Sequence, residues 1–365
     1  MREIVSWREG KMAAQGQDDN QIWVSAEAIT NFSHAILRAA GADEATATTT
    51  TDAMMHASLH GVDSHGFRLL PHYQAVMRGG RVNPRPNLKF TKTRAGTGML
   101  DADDAHGARA LYAAADYAAD LAREAGIGAV GVMNSSHYGA AGAYTMALAK
   151  RGMGGMVFGN SDSLVRLHDG AERFHGTNPI SIAFPTAGNP WLLDMATSSV
   201  PYNRVQLYAS LGVALPEDVA SDAAGVNTTD PNKAEMLAPL GGEFGFKGAA
   251  LGGVAEIFSA VFTGMKISPD LDAMVGGDMT RPRGVGGFVI AIDPEAFLTG
   301  PMFIAGMEHY LTKLRTSTPR TGARVMAPGD REWDVAALRA QKGIPLDPVT
   351  QASFAELTKT TGLSL

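Results

Sequence analysis

The chain of 365 residues contains no cysteine. Disulfides, thiolate zinc sites, iron-sulfur clusters and cysteine nucleophiles are therefore excluded, and any redox chemistry needs a diffusible cofactor. Blocks of like charge are also missing. The 31 basic residues are spread thinly and the formal net charge is only -6, which argues against a nucleic-acid footprint or a polybasic membrane anchor. No apolar run is long enough to span a bilayer. The most apolar window, 247–263, carries Glu256 and several glycines and reads as a buried helix. Residues 1–20 lack the continuous apolar stretch of a signal peptide and read as a disordered extension, with Met12 an alternative start. A nucleophile elbow, a P-loop and internal repeats are absent as well. The expectation is a cytoplasmic protein with small-molecule partners, no nucleic acid and no membrane.

What is present reads as mixed α and β structure. Residues 25–40 and 43–60 have helical spacing, with Ser25 and Asp43 as N-caps and Gly41 and Gly61 as stops. A third helix is expected over 65–77, extended chain over 87–100, and an alanine-rich helix over 108–124 closed by Gly126. From 126 to 196, apolar runs at 127–133, 154–158, 180–184 and 191–195 alternate with glycine-rich turns and one helix, 139–151. This is a sheet with helices on it. A loop-rich stretch, 216–246, feeds a helix over 248–262 with Leu251, Val254, Phe258 and Val261 on one face. A strand at 287–292 and helices at 303–314 and 332–339 follow.

Gly126-Ile127-Gly128-Ala129-Val130-Gly131 spells the G-x-G-x-x-G dinucleotide fingerprint, but these glycines follow a helix and open a strand. The Rossmann motif requires the reverse order and an acid about twenty residues later, so a nicotinamide would need another scaffold. His56 and His60, four apart on a helix with His65 nearby, invite a metal hydrolase. The glutamate of H-E-x-x-H is missing, however, and no metal is expected.

Four segments carry usable chemistry. Asp63-Ser64-His65-Gly66-Phe67-Arg68 places an acid-base group beside a guanidinium fork suited to a carboxylate. Asn134 to Gly142 joins a strand to a helix start whose amides and small residues suit a diphosphate, with His137 beside them; a tight turn with His137 on backbone carbonyls is the alternative. His175-Gly176-Thr177-Asn178-Pro179 precedes a strand, and Leu193 to Ser198 ends one, where ligands enter a mixed sheet; turn and cap chemistry would also explain both.

In order, Asp63-Ser64-His65-Gly66, Ser136 to Gly142, Gly176-Thr177-Asn178-Pro179, Asp194 to Ser198, Phe246-Lys247-Gly248 and Pro328-Gly329 resemble the malate/L-lactate dehydrogenase family 2. The resemblance implies a non-Rossmann α/β fold with a large, predominantly antiparallel sheet flanked by helices, and a helical N-terminal part. It implies an NAD(P)-dependent oxidoreductase acting on a small 2-hydroxy or 2-oxo acid, with NAD as cofactor and NADP as the alternative. The implied acid/base is His65, held by Ser64. The implied dinucleotide contacts are His137, Tyr138, Gly139, Ala140, Ala141, Thr177, Leu193, Asp194, Met195, Ala196, Phe246, Lys247, Gly329, Asp330 and Arg331. Several members carry the substrate arginine four residues after the histidine. That position is Leu69 here, which makes Arg68 the clamp candidate. Imino-acid reductases of the family carry a further aspartate after the Asp194 motif, whereas Pro201-Tyr202-Asn203-Arg204 has no carboxylate. The implied organisation is a homodimer whose chain divides into 21–125 plus 285–365, for substrate and dimerisation, and 126–284, for the dinucleotide.

Overall fold

The computed structural model describes residues 22–365. The extension expected over 1–20 and the alternative start at Met12 lie outside the described residues.

Helices α1 (Ala26–Ala39) and α2 (Glu44–Leu59) start where the sequence puts them. Ser25 accepts from the Ala28 amide and Asp43 from the Thr46 amide, supplying acceptors to helix-start donors that have none within the helix. The helix expected over 65–77 is corrected. Two short 3-10 turns, Asp63–His65 and Phe67–Leu69, come first, and α3 spans Leu70–Gly79. Gly66 causes the break. A Cβ there would lie 2.1 Å from Ser58 Oγ, and Ser58 Oγ accepts the Phe67 amide at 3.1 Å, so this loop is pressed against α2. His65 is thereby presented on a turn.

The central sheet has seven strands in the order β2-β3-β4-β12-β5-β8-β9. They span β2 Lys89–Arg94, β3 Thr97–Asp101, β4 Ile127–Ser135, β5 Gly154–Gly159, β8 Ile180–Phe184, β9 Trp191–Met195 and β12 Val285–Ile292. Only β3 and β4 run parallel; the other pairings are antiparallel. The sheet draws strands from both units expected from the resemblance, since β3 and β12 flank β4.

Helix α4 (Gly107–Ala125) lies on β4 and β12, with Ala108, Leu111, Ala115, Ala118 and Ala122 meeting Val130, Val132, Val289 and Ala291 in one buried cluster. The misplaced dinucleotide glycines find their use here. A Cβ on Gly128 would sit 2.0 Å from the Ala118 carbonyl, so glycine on the strand and alanine on the helix permit close packing.

Helix α5 (Gly142–Ala149) adds to the same layer over β5 and β8, and α2 covers both α4 and α5. On the opposite face, α7 (Phe246–Glu256) and the π turn Ile257–Val261 pack Ala255 and Phe258 onto Phe158 and Ile180. The buried-helix expectation is corrected here. This segment buries Gly248, Gly252, Ala255 and Ser259, and leaves Leu251, Val254, Ile257, Val261 and Phe262 exposed in the single chain.

Strands β6 (Val165–Arg166), β7 (Arg173–His175), β10 (Ala220–Ser221) and β11 (Met236–Leu237) form a small second sheet, with α6 (Tyr202–Leu211) packed by Val205 against Val165 and Leu237. The C-terminal part comprises α8 (Gly300–Arg315), α9 (Asp330–Lys342), β13 (Ile344–Leu346) and α10 (Pro348–Thr361). It returns to the N-terminal helices: β13 pairs with β1 (Ile22–Val24), and Phe354 packs on Phe32. Among the described residues, no helix is long and apolar enough to cross a membrane.

Candidate active site

His65 and His137, 72 positions apart, come together with near-parallel rings whose centroids are 5.7 Å apart. Ser64 Oγ lies 2.9 Å from His65 Nδ1, which leaves Nε2 as the ring nitrogen open to a reacting group. Burial lowers the His65 pKa below its ordinary value. The loop carrying it is anchored from outside: Arg339 holds Asp63 with both terminal nitrogens and also donates to the Ser58 carbonyl.

His137 follows β4 and is held by the Tyr73 hydroxyl, 2.8 Å from its Nδ1, not by backbone carbonyls. Burial first, then the neighbouring His65 and Arg283, keep its pKa well below the usual histidine range. Burial also raises the Tyr73 pKa, so the phenol stays protonated. Tyr73 in turn packs edge-on against His106, at 4.2 Å between centroids. The sequence reading missed Tyr73, because nothing in a single chain pairs position 73 with position 137.

Gly139 takes a left-handed conformation with φ +76°, and a Cβ there would lie 3.5 Å from the His65 carbonyl, so this turn runs directly beside the loop that carries His65. The amides of Gly139, Ala140 and Ala141 have no hydrogen-bond partner among the described residues. Buried amides of this kind call for an acceptor, and an anion at a helix start fits them. The next amide, Gly142, is already used: it donates to Asp194 Oδ2 at 2.8 Å. Burial pushes the Asp194 carboxyl up to about 7, against that hydrogen bond, with Glu332 adding to the rise.

The remaining sequence-predicted residues form one strip along the edge strand β9. Leu193, Asp194 and Met195 lie on it and Ala196 follows. The Thr197 amide bonds the Thr177 carbonyl, and the Thr177 amide bonds Ser161 Oγ. The Leu240 amide bonds the Thr197 carbonyl, and Gly248 lies tight against Leu240, which carries the strip to Phe246 and Lys247. Both are exposed, with Lys247 Nζ 5.3 Å from the Phe244 ring. At the other end, the Leu192 amide bonds the Pro328 carbonyl, bringing Gly329 alongside. Asp330 is committed elsewhere, to Arg315 at 2.7 and 3.1 Å and to the Ala327 amide, and Arg331 pairs on the surface with Glu332.

Two placements bear on the other expectations. Arg68 is half-exposed, with its guanidinium 3.9 Å from Asp347 at the start of α10. His60 Nδ1 bonds the His56 carbonyl at 2.7 Å, and no group of three metal-ligating side chains occurs among the described residues.

A buried carboxyl that the sequence flagged only as a charge in an apolar window organises the loops next to Thr177. Glu256 accepts from Asn160, Asn178, the Ser268 amide and the Ser268 hydroxyl at 2.6–2.9 Å. It thereby ties α7 to the loops after β5 and before β8. Glu256→Ala leaves these buried donors unpaired and is expected to lower stability by roughly 3–5 kcal/mol. An unchanged urea midpoint would contradict this.

The chain thus brings a histidine pair and a run of free amides together beside a largely antiparallel sheet that has no Rossmann crossover. The malate/L-lactate dehydrogenase family model matches residues 24–355, and the chain belongs to that family. It is 31% identical over 354 residues to a malate dehydrogenase of Pyrococcus abyssi, covering 95% of this chain and 97% of that one. It is 29% identical over 332 residues to an L-sulfolactate dehydrogenase of Methanocaldococcus jannaschii, covering 90% and 94%. The solved malate dehydrogenase of Pyrococcus horikoshii OT3 superposes with a TM-score of 0.86 at 29% identity, covering 95% of this chain and 97% of that one. The protein is accordingly a dehydrogenase of the oxidoreductase class.

Proposed function

We propose that the chain interconverts a small 2-hydroxy acid and its 2-oxo acid with NAD, or alternatively NADP, using His65 as the acid and base. The observation that carries this reading is the His65 imidazole, oriented by Ser64 through Nδ1 and set beside His137 and the amides of 139–141. The relatives named for malate and sulfolactate support the substrate class.

When bound, the nicotinamide dinucleotide supplies the hydride in reduction and accepts it in oxidation. The free amides of Gly139, Ala140 and Ala141 would hold its diphosphate, and Thr177 with the strand Leu193, Asp194, Met195 and Ala196 would line its length. Gly329, Asp330 and Arg331 at one end and Phe246 and Lys247 at the other would bound it. His65 Nε2 gives a proton to the substrate oxygen in reduction and takes it back in oxidation, while Ser64 fixes the ring. Tyr73 fixes His137 in the same way.

The exposed apolar face Leu251, Val254, Ile257, Val261 and Phe262 supports a homodimer, because a run of large apolar side chains is normally covered in a soluble assembly. Titrating the protein into NADH and NADPH while recording fluorescence, then assaying oxaloacetate, pyruvate and a cyclic imino acid, tests the whole reading. Binding of at least one dinucleotide with turnover of an oxo acid is expected. Turnover of the cyclic imine alone would transfer the reading to C=N reduction, and binding of neither dinucleotide would remove it.

A further inference from the structure

Arg68 shares its charge with Asp347, yet two other guanidiniums are buried, Arg283 acting on His137 and His72 and Arg81 acting on His72. Arg81 and Arg283 are only 2% and 3% exposed. Antiparallel pairing of Val285 with Ser135 carries Arg283, two residues before the strand, to the level of His137, two residues after the other. Arg283 Nη2 bonds Asp162 at 2.6 Å and its Nε bonds the Asp272 carbonyl at 2.8 Å, whereas Nη1 has no partner among the described residues.

Arg81 and Arg283 act on each other, and Asp272, Asp278 and Asp162 act on Arg81. Arg81 bonds only carbonyl oxygens, those of Ala273, Met274 and Asp278. The Asp272 and Asp278 side chains pair instead with Lys266 and Arg281. Asp162 is therefore the one carboxylate among the described residues within ion-pair distance of these two buried cations. His72, which both arginines act on, is held at a pKa of about 4 by burial and by Arg81 and Arg283, and so adds no charge near neutral pH. Arg283 acts on His137, and its one free terminal nitrogen is placed to receive a carboxylate.

We infer that Arg283, steadied by Asp162, is the residue that binds the carboxylate of the acid substrate, in place of Arg68. The inference rests on the proposed reaction and assigns its specificity for acids. Arg283 bonds the substrate; Asp162 is a positioning residue that aims it.

The test compares the 2-oxo acid that the wild-type enzyme reduces best, among pyruvate and oxaloacetate, with its methyl ester. Arg283→Gln should lower kcat/KM for the acid roughly 10- to 100-fold, the range of a hydrogen bond to a charged group, and change that for the ester less than about threefold. NADH affinity should stay within a few-fold, which shows the fold intact. Should the Gln variant lose dinucleotide binding, Arg283→Lys, which retains the charge facing Asp162, replaces it with the same expectation at the lower end. Equal losses for acid and ester, or an unchanged preference, would overturn the inference. Arg68→Gln reads the rival: a preserved acid preference supports Arg283, and a collapsed preference overturns it. A wild-type protein that binds no dinucleotide overturns the underlying reaction, whereas a wild-type reductase with an indifferent Arg283 overturns this assignment alone.

Discussion

His65→Ala is expected to reduce kcat by about 10²–10⁴-fold, the usual contribution of general acid-base catalysis, with dinucleotide affinity within a few-fold of the parent. The reason is positional. His65 stands on a turn created by Gly66 and Ser58, its Nδ1 is taken by Ser64, and Nε2 is the ring nitrogen left open. Its pH behaviour follows from its burial, which lowers its pKa below the ordinary 6.5. Oxidation needs the neutral ring, so kcat/KM for the hydroxy acid should fall as pH drops through that lowered pKa. Reduction needs the protonated ring and should fall as pH rises through it. A His65→Ala enzyme with near-normal kcat would move proton transfer to His137.

Acid should destabilise the fold well before carboxylates protonate in general. His106 is buried, with its pKa lowered to about 3, and His56, His65, His72 and His137 are shifted the same way. For each, the unfolded chain takes up a proton near 6.5 while the folded state refuses it, so stability is full above that pH and declines below it. At 1.36 kcal/mol per pKa unit, His106 alone accounts for roughly 2 kcal/mol between pH 6.5 and 5. Asp194 works against this. Its folded pKa of about 7 means that it holds a proton the unfolded chain has released, returning a similar amount over the same interval. His60 and His175 are lowered as well, so six further histidines outnumber the raised Asp52 and Asp104, and the melting temperature should be lower at pH 5 than at pH 7.5. Asp194→Asn removes the offset and should steepen the loss on acidification. A melting temperature that is flat from pH 7.5 to 5 would show that these histidines are not kept neutral by the fold.

Much of the architecture was legible because it is local. Ser25 and Asp43 cap helices through their own side chains three residues on, and the strands 127–133, 154–158, 180–184 and 191–195 announce themselves as apolar runs between glycine turns. The order of helix and strand around Gly126 was enough to reject a Rossmann phosphate loop, and the tight packing of Gly128 on Ala118 supplies the physical reason for those glycines. Periodicity did less well on orientation. It grouped Leu251, Val254 and Val261 on one face of a helix but could not say that the glycine face turns inward, since only packing on Phe158 and Ile180 decides that.

The sequence by itself determined the capped helices and apolar strands of the first two hundred residues, the absence of thiol chemistry and the placing of a serine next to His65. Only the tertiary structure decided which distant groups meet: Tyr73 on His137, Asp194 on Gly142, Arg68 on Asp347, and Arg283 on Asp162. Side-chain spacing along one helix or strand is fixed by backbone geometry and can be read from a single chain. Contacts across 52 or more positions, as between Gly142 and Asp194, are set by how strands and helices stack, and that depends on the burial of the whole core.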